Sequence, residues 1–198
     1  MGVGEASGEF VDVVELYVEA LATFGEAVRE VADHEWDLPT PCTEWNVREL
    51  VAHVVLGEAH LPPVLDGTSQ STQSAADVDL LGPTPLTTWR GTALKAIDAA
   101  RTPGVVERTY ELDLGSVTGH QLLAYRITDN VVHAWDVLVG IGRPAPIADH
   151  HAEFLLEFWL PVALDLGASN FFAAPTNPVG DRPSDRLLAL LGRTPPSV

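Results

Sequence analysis

Thr118-Gly-His-Gln121-Leu-Leu-Ala-Tyr-Arg126-Ile-Thr-Asp129-Asn-Val-Val-His133-Ala-Trp-Asp136-Val-Leu-Val139-Gly-Ile141 reads as one long helix with chemistry on one side. Thr118 and Gln121 have the spacing of a capping box, in which each side chain bonds the other residue's backbone N–H. Gly142-Arg143-Pro144 ends the helix. Ile127, Val131, Val132, Trp135, Leu138 and Val139 cover one side of the helical wheel. Leu122, Arg126, Asp129, His133 and Asp136 cover the other. Asp129 and His133 are four residues apart, so they stand about one turn apart on the same face. A carboxylate and an imidazole placed that way can hold one divalent metal ion. A second apolar helix carries His53, in Leu50-Val-Ala-His53-Val-Val. His53, Asp129 and His133 make a set of two histidines and one carboxylate. Three protein ligands leave a position for water or a substrate sulfur, which separates catalytic sites from closed structural ones.

Periodicity alone leaves a second reading open. Arg126, Asp129, His133 and Asp136 could equally be the solvated face of an amphipathic helix. His53 lies at the border of its helix's apolar face, where a hydrogen-bonded structural histidine is common. His60, seven residues on, faces a similar direction and is an alternative ligand.

Working outward, residues 1–8 are Gly-rich and are expected to be a flexible N-terminus, followed by one domain over residues 9–198. A first helix is predicted from about Glu9 to Asp33, with Val14, Tyr17, Val18, Leu21, Phe24, Val28 and Val31 at steps of three and four. Asp37-Leu-Pro39-Thr-Pro41-Cys-Thr43 cannot be helical with two prolines so close. Thr43 is the expected N-cap of a second helix, with Glu44 in its first turn. That helix carries Val47, Leu50, Val51, Val54, Val55 and Leu61 and is expected to stop near Pro62-Pro63. Residues 66–84 read as a long loop able to close over a site. Thr84-Pro85 opens a third helix that ends near Thr102. Residues 106–114 alternate apolar and polar, as in a short strand or extended connection. A fifth helix is predicted from Ala148 to Leu166, capped by Asp149 or a neighbour, and a short last one over Ser184–Leu191.

The 198 residues suffice for one domain with a substantial core. The net charge of −17 argues against nucleic acid and against anionic membrane surfaces. No apolar stretch is long enough to span a bilayer, and the first residues do not read as a secretory signal. One cysteine, Cys42, excludes an internal disulfide and points to the reducing cytoplasm. With proline before it and no base nearby in sequence, Cys42 is a weak candidate for a catalytic thiol. His34 and His120 sit at helix ends, and His150 and His151 open a helix. Trp45 and Trp135 are close in sequence to the proposed ligands.

Three segments resemble a known family. Trp36-Asp-Leu-Pro-Thr-Pro-Cys-Thr-Glu-Trp45-Asn-Val-Arg-Glu-Leu-Val-Ala-His53 is similar to the opening motif of the DinB-like, mycothiol-dependent maleylpyruvate isomerase group. Asp129-Asn-Val-Val-His133-Ala-Trp-Asp136 resembles its second motif. Ser184-Asp-Arg-Leu-Leu-Ala-Leu-Leu-Gly-Arg-Thr-Pro195 is similar to the ending of its uncharacterised metal-binding branch. The resemblance implies a mostly all-α protein: a DinB-like four-helix bundle with a short extended or β segment and an extra C-terminal helix, holding a metal between two helices. Carried over position by position, the ligands are His53, Asp129 and His133. Asp129 stands where the isomerases use the longer glutamate. Asp136-Val-Leu-Val139 replaces the family's frequent Asp-Leu-Ala-Arg, removing a basic group that would meet an anionic thiol. The chain ends at Val198, without the isomerase's further C-terminal domain, so maleylpyruvate itself is not the expected substrate.

The leading expectation is an enzyme using a divalent metal, zinc first and nickel or iron next, with a low-molecular-weight thiol of the mycothiol type as cosubstrate. It would be a transferase or isomerase acting on a small electrophile. Asp136 would orient a ligand from behind, and Arg126 would hold a substrate carboxylate. A metal-dependent hydrolase and a non-catalytic metal- or thiol-binding protein are the alternatives. A homodimer fits the bundle architecture of the family.

Overall fold

The computed structural model describes residues 12–70, 77–113, 115–162 and 172–195. Helix α1, Val13–Glu30, is capped by Asp12, whose Oδ1 accepts the Val14 N–H at 2.9 Å. The predicted stripe is its buried face, from Val13 and Tyr17 through Phe24 to Val28. Residues 9–11, and the flexible N-terminus read at 1–8, lie outside the described residues.

Helix α2, Val47–Leu65, corrects two expectations. Its N-cap is Asn46, not Thr43. Asn46 and Glu49 form a reciprocal capping box, with both bonds at 2.9 Å. Asparagine three residues before glutamate satisfies two backbone donors at once, which Thr43 and Glu44 cannot do. An isolated antiparallel bridge from Pro39 to Asn46 also holds this residue extended. At the other end α2 runs through Pro62 and Pro63. Each proline removes one intrahelical donor. The loss falls in the last turns, where Leu61, Val64 and Leu65 are buried and the Asp66 N–H still bonds the Pro62 carbonyl at 3.0 Å.

Helix α3, Pro85–Ala100, starts with proline at its first position as expected, although Thr84 makes no side-chain cap bond. Between α2 and α3 a short 3₁₀ turn, Val78–Leu81, buries Leu81. Residues 71–76 lie outside the described set. The extended segment is a hairpin: β1, Thr109–Leu112, pairs antiparallel with β2, Gly115–Thr118, with Thr109 opposite Thr118 and Leu112 opposite Gly115. Thr118 then starts α4, Gly119–Gly140, through the predicted box. Its hydroxyl accepts the Gln121 N–H at 3.2 Å, and the Gln121 side chain accepts the Thr118 N–H at 2.8 Å.

Helix α5, Asp149–Trp159, has a neighbour of Asp149, Ala148, at its cap position, where no side-chain bond forms, and Asp149 lies in the first turn. It passes into a 3₁₀ turn, Leu160–Val162. The predicted continuation to Leu166 reaches residues outside the described set. A last helix, α6, Pro183–Leu190, packs on α5.

Helices α1 to α4 form the bundle: α1 packs on α4 and α3, and α2 on α3 and α4. One core of Tyr17, Phe24, Leu50, Val51, Leu123 and Ile127, all fully buried, fills it. α4 is pinned near both ends by close backbone approach. A Cβ on Gly119 would lie 1.9 Å from the Val105 carbonyl oxygen, and one on Gly140 would lie 2.9 Å from that of Pro39. Among the described residues no helix is long and apolar enough to cross a membrane.

Candidate metal centre

Where α4 lies against α2, its polar face meets protein rather than water. Arg126, His133 and Asp136 are buried, with Asp136 at 0% exposure, which overturns the solvated-face reading. Asp129 is partly exposed, at 22% of its side chain. Arg126 pairs with Glu58 and Asp129 with His53, so the two helices run antiparallel here.

His53 Nε2 lies 3.6 Å from Asp129 Oδ2, and His133 Nε2 lies 3.9 Å from Asp129 Oδ1. The His53 and His133 rings are nearly perpendicular, 5.4 Å between centroids. One ligand atom from each of the three residues lies within 4.8 Å of the others. Ligands about 2.0–2.2 Å from a tetrahedral zinc are roughly 3.3–3.6 Å from one another, so a set within 4.8 Å closes around an ion by side-chain adjustments of about an ångström or less. Trp45 stacks on His53 at 4.3 Å and stands edge-on to His133 at 6.1 Å, forming an aromatic wall.

Behind His133, Nδ1–H donates to Asp136 Oδ2 at 2.9 Å. That bond fixes the tautomer with its lone pair on Nε2, toward His53 and Asp129. Asp136 is itself held by Arg193, whose Nη2 is 3.0 Å from Oδ2. Burial works to raise the Asp136 carboxyl, but the His133 hydrogen bond and Arg193 outweigh it and hold it below the ordinary range. Asp129 is likewise opposed by burial, yet Arg126, His53 and His133 keep it well below the usual carboxylate range.

Arg126, read in the sequence as a clamp for a substrate carboxylate, is engaged within the protein. Its Nη1 donates to Asp129 Oδ2 at 2.6 Å. Its Nε and Nη2 donate to Glu58 Oε1 at 3.0 and 2.8 Å. Glu58 is fully buried and also accepts from Asn130 Nδ2 at 2.6 Å and from the Tyr17 hydroxyl. Burial, then the Glu58 charge, pushes the Tyr17 phenol up, so it stays a donor.

Sequence reasoning missed Glu58, Tyr17, Arg193 and the proximity of Cys42. The signal for Glu58 is a carboxylate inside an apolar helical run. The other three come from distant segments. Arg193 places beside Asp136 the kind of basic group absent at Val139. Cys42 lies within metal-ligand range of His133 and Asp136. Its thiol is pushed up to about 11 by burial, which Arg193 only partly offsets.

The other histidines are used elsewhere. His150 Nε2 bonds Glu19 at 2.8 Å and His151 Nε2 bonds the Leu16 carbonyl at 3.1 Å, forming with Glu19 a second cluster on the α1–α5 side. His120 packs near Phe154. His60 joins no such cluster among the described residues. The loop at 66–84 is tied to the hairpin, Gln70 accepting the Asp113 N–H at 3.1 Å and Leu65 accepting from Arg108 at 3.4 Å. Leu65 is twelve residues past His53, about 18 Å along the axis. Residues 66–70 therefore sit at the far end of α2 from the site.

Fold and cluster together define a DinB-like helical-bundle protein. The chain belongs to the mycothiol maleylpyruvate isomerase N-terminal domain family, whose model matches residues 17–138. Two uncharacterized proteins of Mycobacterium tuberculosis, MT0763 and Rv0738, are each 28% identical to it over 202 residues, spanning 93% of this chain and 99% of theirs. Crystal structures of the mycothiol-dependent maleylpyruvate isomerase and of a histidine-to-alanine mutant of it superpose with TM-scores of 0.60 and 0.59 at 16% identity. The match covers 78% of this chain and 68% of theirs, and at that identity it establishes the fold.

Proposed function

We propose that this protein is a metal-dependent enzyme that uses a low-molecular-weight thiol, of the mycothiol type, to transfer to or isomerise a small electrophilic substrate. The reading takes residues 9–198 as one domain working in the cytoplasm, with a homodimer as the expected assembly. The observation that carries it is the grouping of His53, Asp129 and His133, with one ligand atom of each within 4.8 Å of the others, and with His133 Nδ1 held by Asp136.

The donor set suits zinc first, with nickel or iron able to use the same atoms. A divalent ion bound there supplies the positive charge that lowers the pKa of a thiol, whose ionised form is the nucleophile. Asp136 holds the proton on His133 Nδ1 and so keeps Nε2 available as a ligand. Trp45 fixes the plane of His53 and keeps water from that side. Arg126 fixes Asp129 rather than touching substrate. In the isomerisation, the thiolate sulfur adds to one carbon of a double bond conjugated to a carbonyl, the displaced π pair moves onto that carbonyl as an enolate, the resulting single bond rotates, and the pair returns to re-form the double bond as the same sulfur leaves as thiolate. The thiol is regenerated and the double bond has changed from cis to trans.

The test is the metal content of purified, untagged protein against His133→Ala. About one ion per chain in the wild type, lost in the variant, is the expected result. It is followed by thiol consumption assays with electrophiles. No metal in either protein after incubation with zinc refutes the reading.

A further inference from the structure

Glu58 is a fully buried carboxylate that accepts four hydrogen bonds, three from nitrogens of two side chains and one from a hydroxyl, and it is not itself within the ligand cluster. Its Oε1 collects Arg126 Nε, Arg126 Nη2 and Asn130 Nδ2, while Oε2 accepts from Tyr17. Tyr17 belongs to α1, Glu58 to α2, and Arg126 and Asn130 to α4. The chain of bonds therefore crosses the bundle and ends on Asp129 Oδ2, through Arg126 Nη1 at 2.6 Å. That contact engages Oδ2, the oxygen 3.6 Å from His53 Nε2, and leaves Oδ1 without an arginine partner, 3.9 Å from His133 Nε2.

Space for the guanidinium is made by Gly57. A Cβ at that position would lie 2.5 to 2.7 Å from Arg126 Nη1, Nη2 and Cζ, closer than such atoms can approach. Glycine in a helix interior is the poorer helix former, so its presence between Leu56 and Glu58 costs the helix stability in return for this gap.

We propose that Gly57, Glu58 and Tyr17 are positioning residues for the metal centre: they set the guanidinium of Arg126 so that it holds the short Asp129 side chain with one oxygen turned to the ion. The inference rests on the metal reading above. Aspartate reaches less far than glutamate, so its orientation must be fixed from outside, and Arg126 does this through a bond that Glu58 keeps in line. Helix α1, which supplies no ligand, thereby acts on metal binding through Tyr17.

Gly57→Ala displaces the guanidinium without removing any charge or donor, and it favours the helix. Tyr17→Phe removes one bond to Glu58 at nearly constant volume. Zinc affinity is measured by competition with a chromophoric chelator, and the visible spectrum of the cobalt(II) form reports ligand geometry. Far-UV circular dichroism at the assay temperature verifies that each variant is folded. Gly57→Ala is expected to weaken zinc binding about tenfold to a hundredfold and to shift the cobalt spectrum. Tyr17→Phe shifts the spectrum the same way with a smaller loss. A purely structural role would lower stability and leave the cobalt spectrum unchanged. Wild-type binding that depends on His133, but is matched within about twofold by folded Gly57→Ala, overturns the positioning role alone. A wild type without His133-dependent binding overturns the metal reading and this one with it.

Discussion

Replacing Arg193 with alanine separates a C-terminal tail that is locked to the site from one that only lies near it. Arg193 Nη2 is 3.0 Å from Asp136 Oδ2, and Nε is 3.5 Å from Oδ1. Its Nη1 donates to the Leu191 carbonyl at 2.8 Å. The two side chains are 7% and 0% exposed, so water cannot take over the role of the guanidinium. Truncation leaves Asp136 with one remaining donor, His133 Nδ1. Stripping a buried ion of its counter-ion costs about 3–5 kcal/mol, which exceeds the roughly 1 kcal/mol of the lost bond to Leu191. A domain with about 5–15 kcal/mol of stability survives this with a reduced margin. Urea unfolding followed by circular dichroism should show a lower midpoint with an almost unchanged slope. Asp136→Asn removes the charge that Arg193 answers. The double variant should therefore lose less than the sum of the single ones, with a coupling of about 1–3 kcal/mol. A loss below about 1 kcal/mol for Arg193→Ala, or additivity within about 0.5 kcal/mol, refutes the lock.

Two further outcomes concern titration. Asp129 and Asp136 are both held below the ordinary carboxylate range, so the unfolded chain binds their protons first as pH falls. Their contribution is complete above about pH 4 and is lost below it, at up to about 1.4 kcal/mol per pH unit for each group; urea midpoints at pH 5, 4 and 3 check this, and no decline between 4 and 3 contradicts it. Cys42, with its thiol pushed up to about 11, should be alkylated at pH 8 roughly tenfold more slowly than an unhindered thiol, the higher nucleophilicity of its scarce thiolate offsetting part of the deficit. Its rate should still be climbing at pH 10, and a plateau near pH 9 measured with iodoacetamide would contradict the buried assignment.

Much of the bundle is legible from the three-and-four spacing of apolar residues, because that spacing fixes which face each helix buries. α1 and the Thr118 box of α4 follow directly. What periodicity cannot say is whether the opposite face meets water or another helix. Arg126, Asp129, His133 and Asp136 visibly share a face, yet their burial comes from α2 and the C-terminal tail, which no local pattern reports. Where helix boundaries differ from the sequence pattern, the causes are local. The reciprocal Asn46–Glu49 pair satisfies two backbone donors and so outcompetes Thr43 as the cap, and α2 tolerates Pro62-Pro63 because Leu61, Val64 and Leu65 dock its last turns. The residues behind the site, Tyr17, Glu58 and Arg193, meet only through tertiary packing.

The close approaches at Gly119 and Gly140 bear on how the site tolerates change elsewhere. α4 is in effect a beam clamped at both supports, with Asp129 and His133 near mid-span. A shift of the helix by one residue would rotate its side chains by about 100° and carry both away from His53. Insertions in the hairpin or in the connection after Ile141 can therefore lengthen the loops without altering the register of the ligands, whereas a single methyl group added at either glycine would move the whole beam.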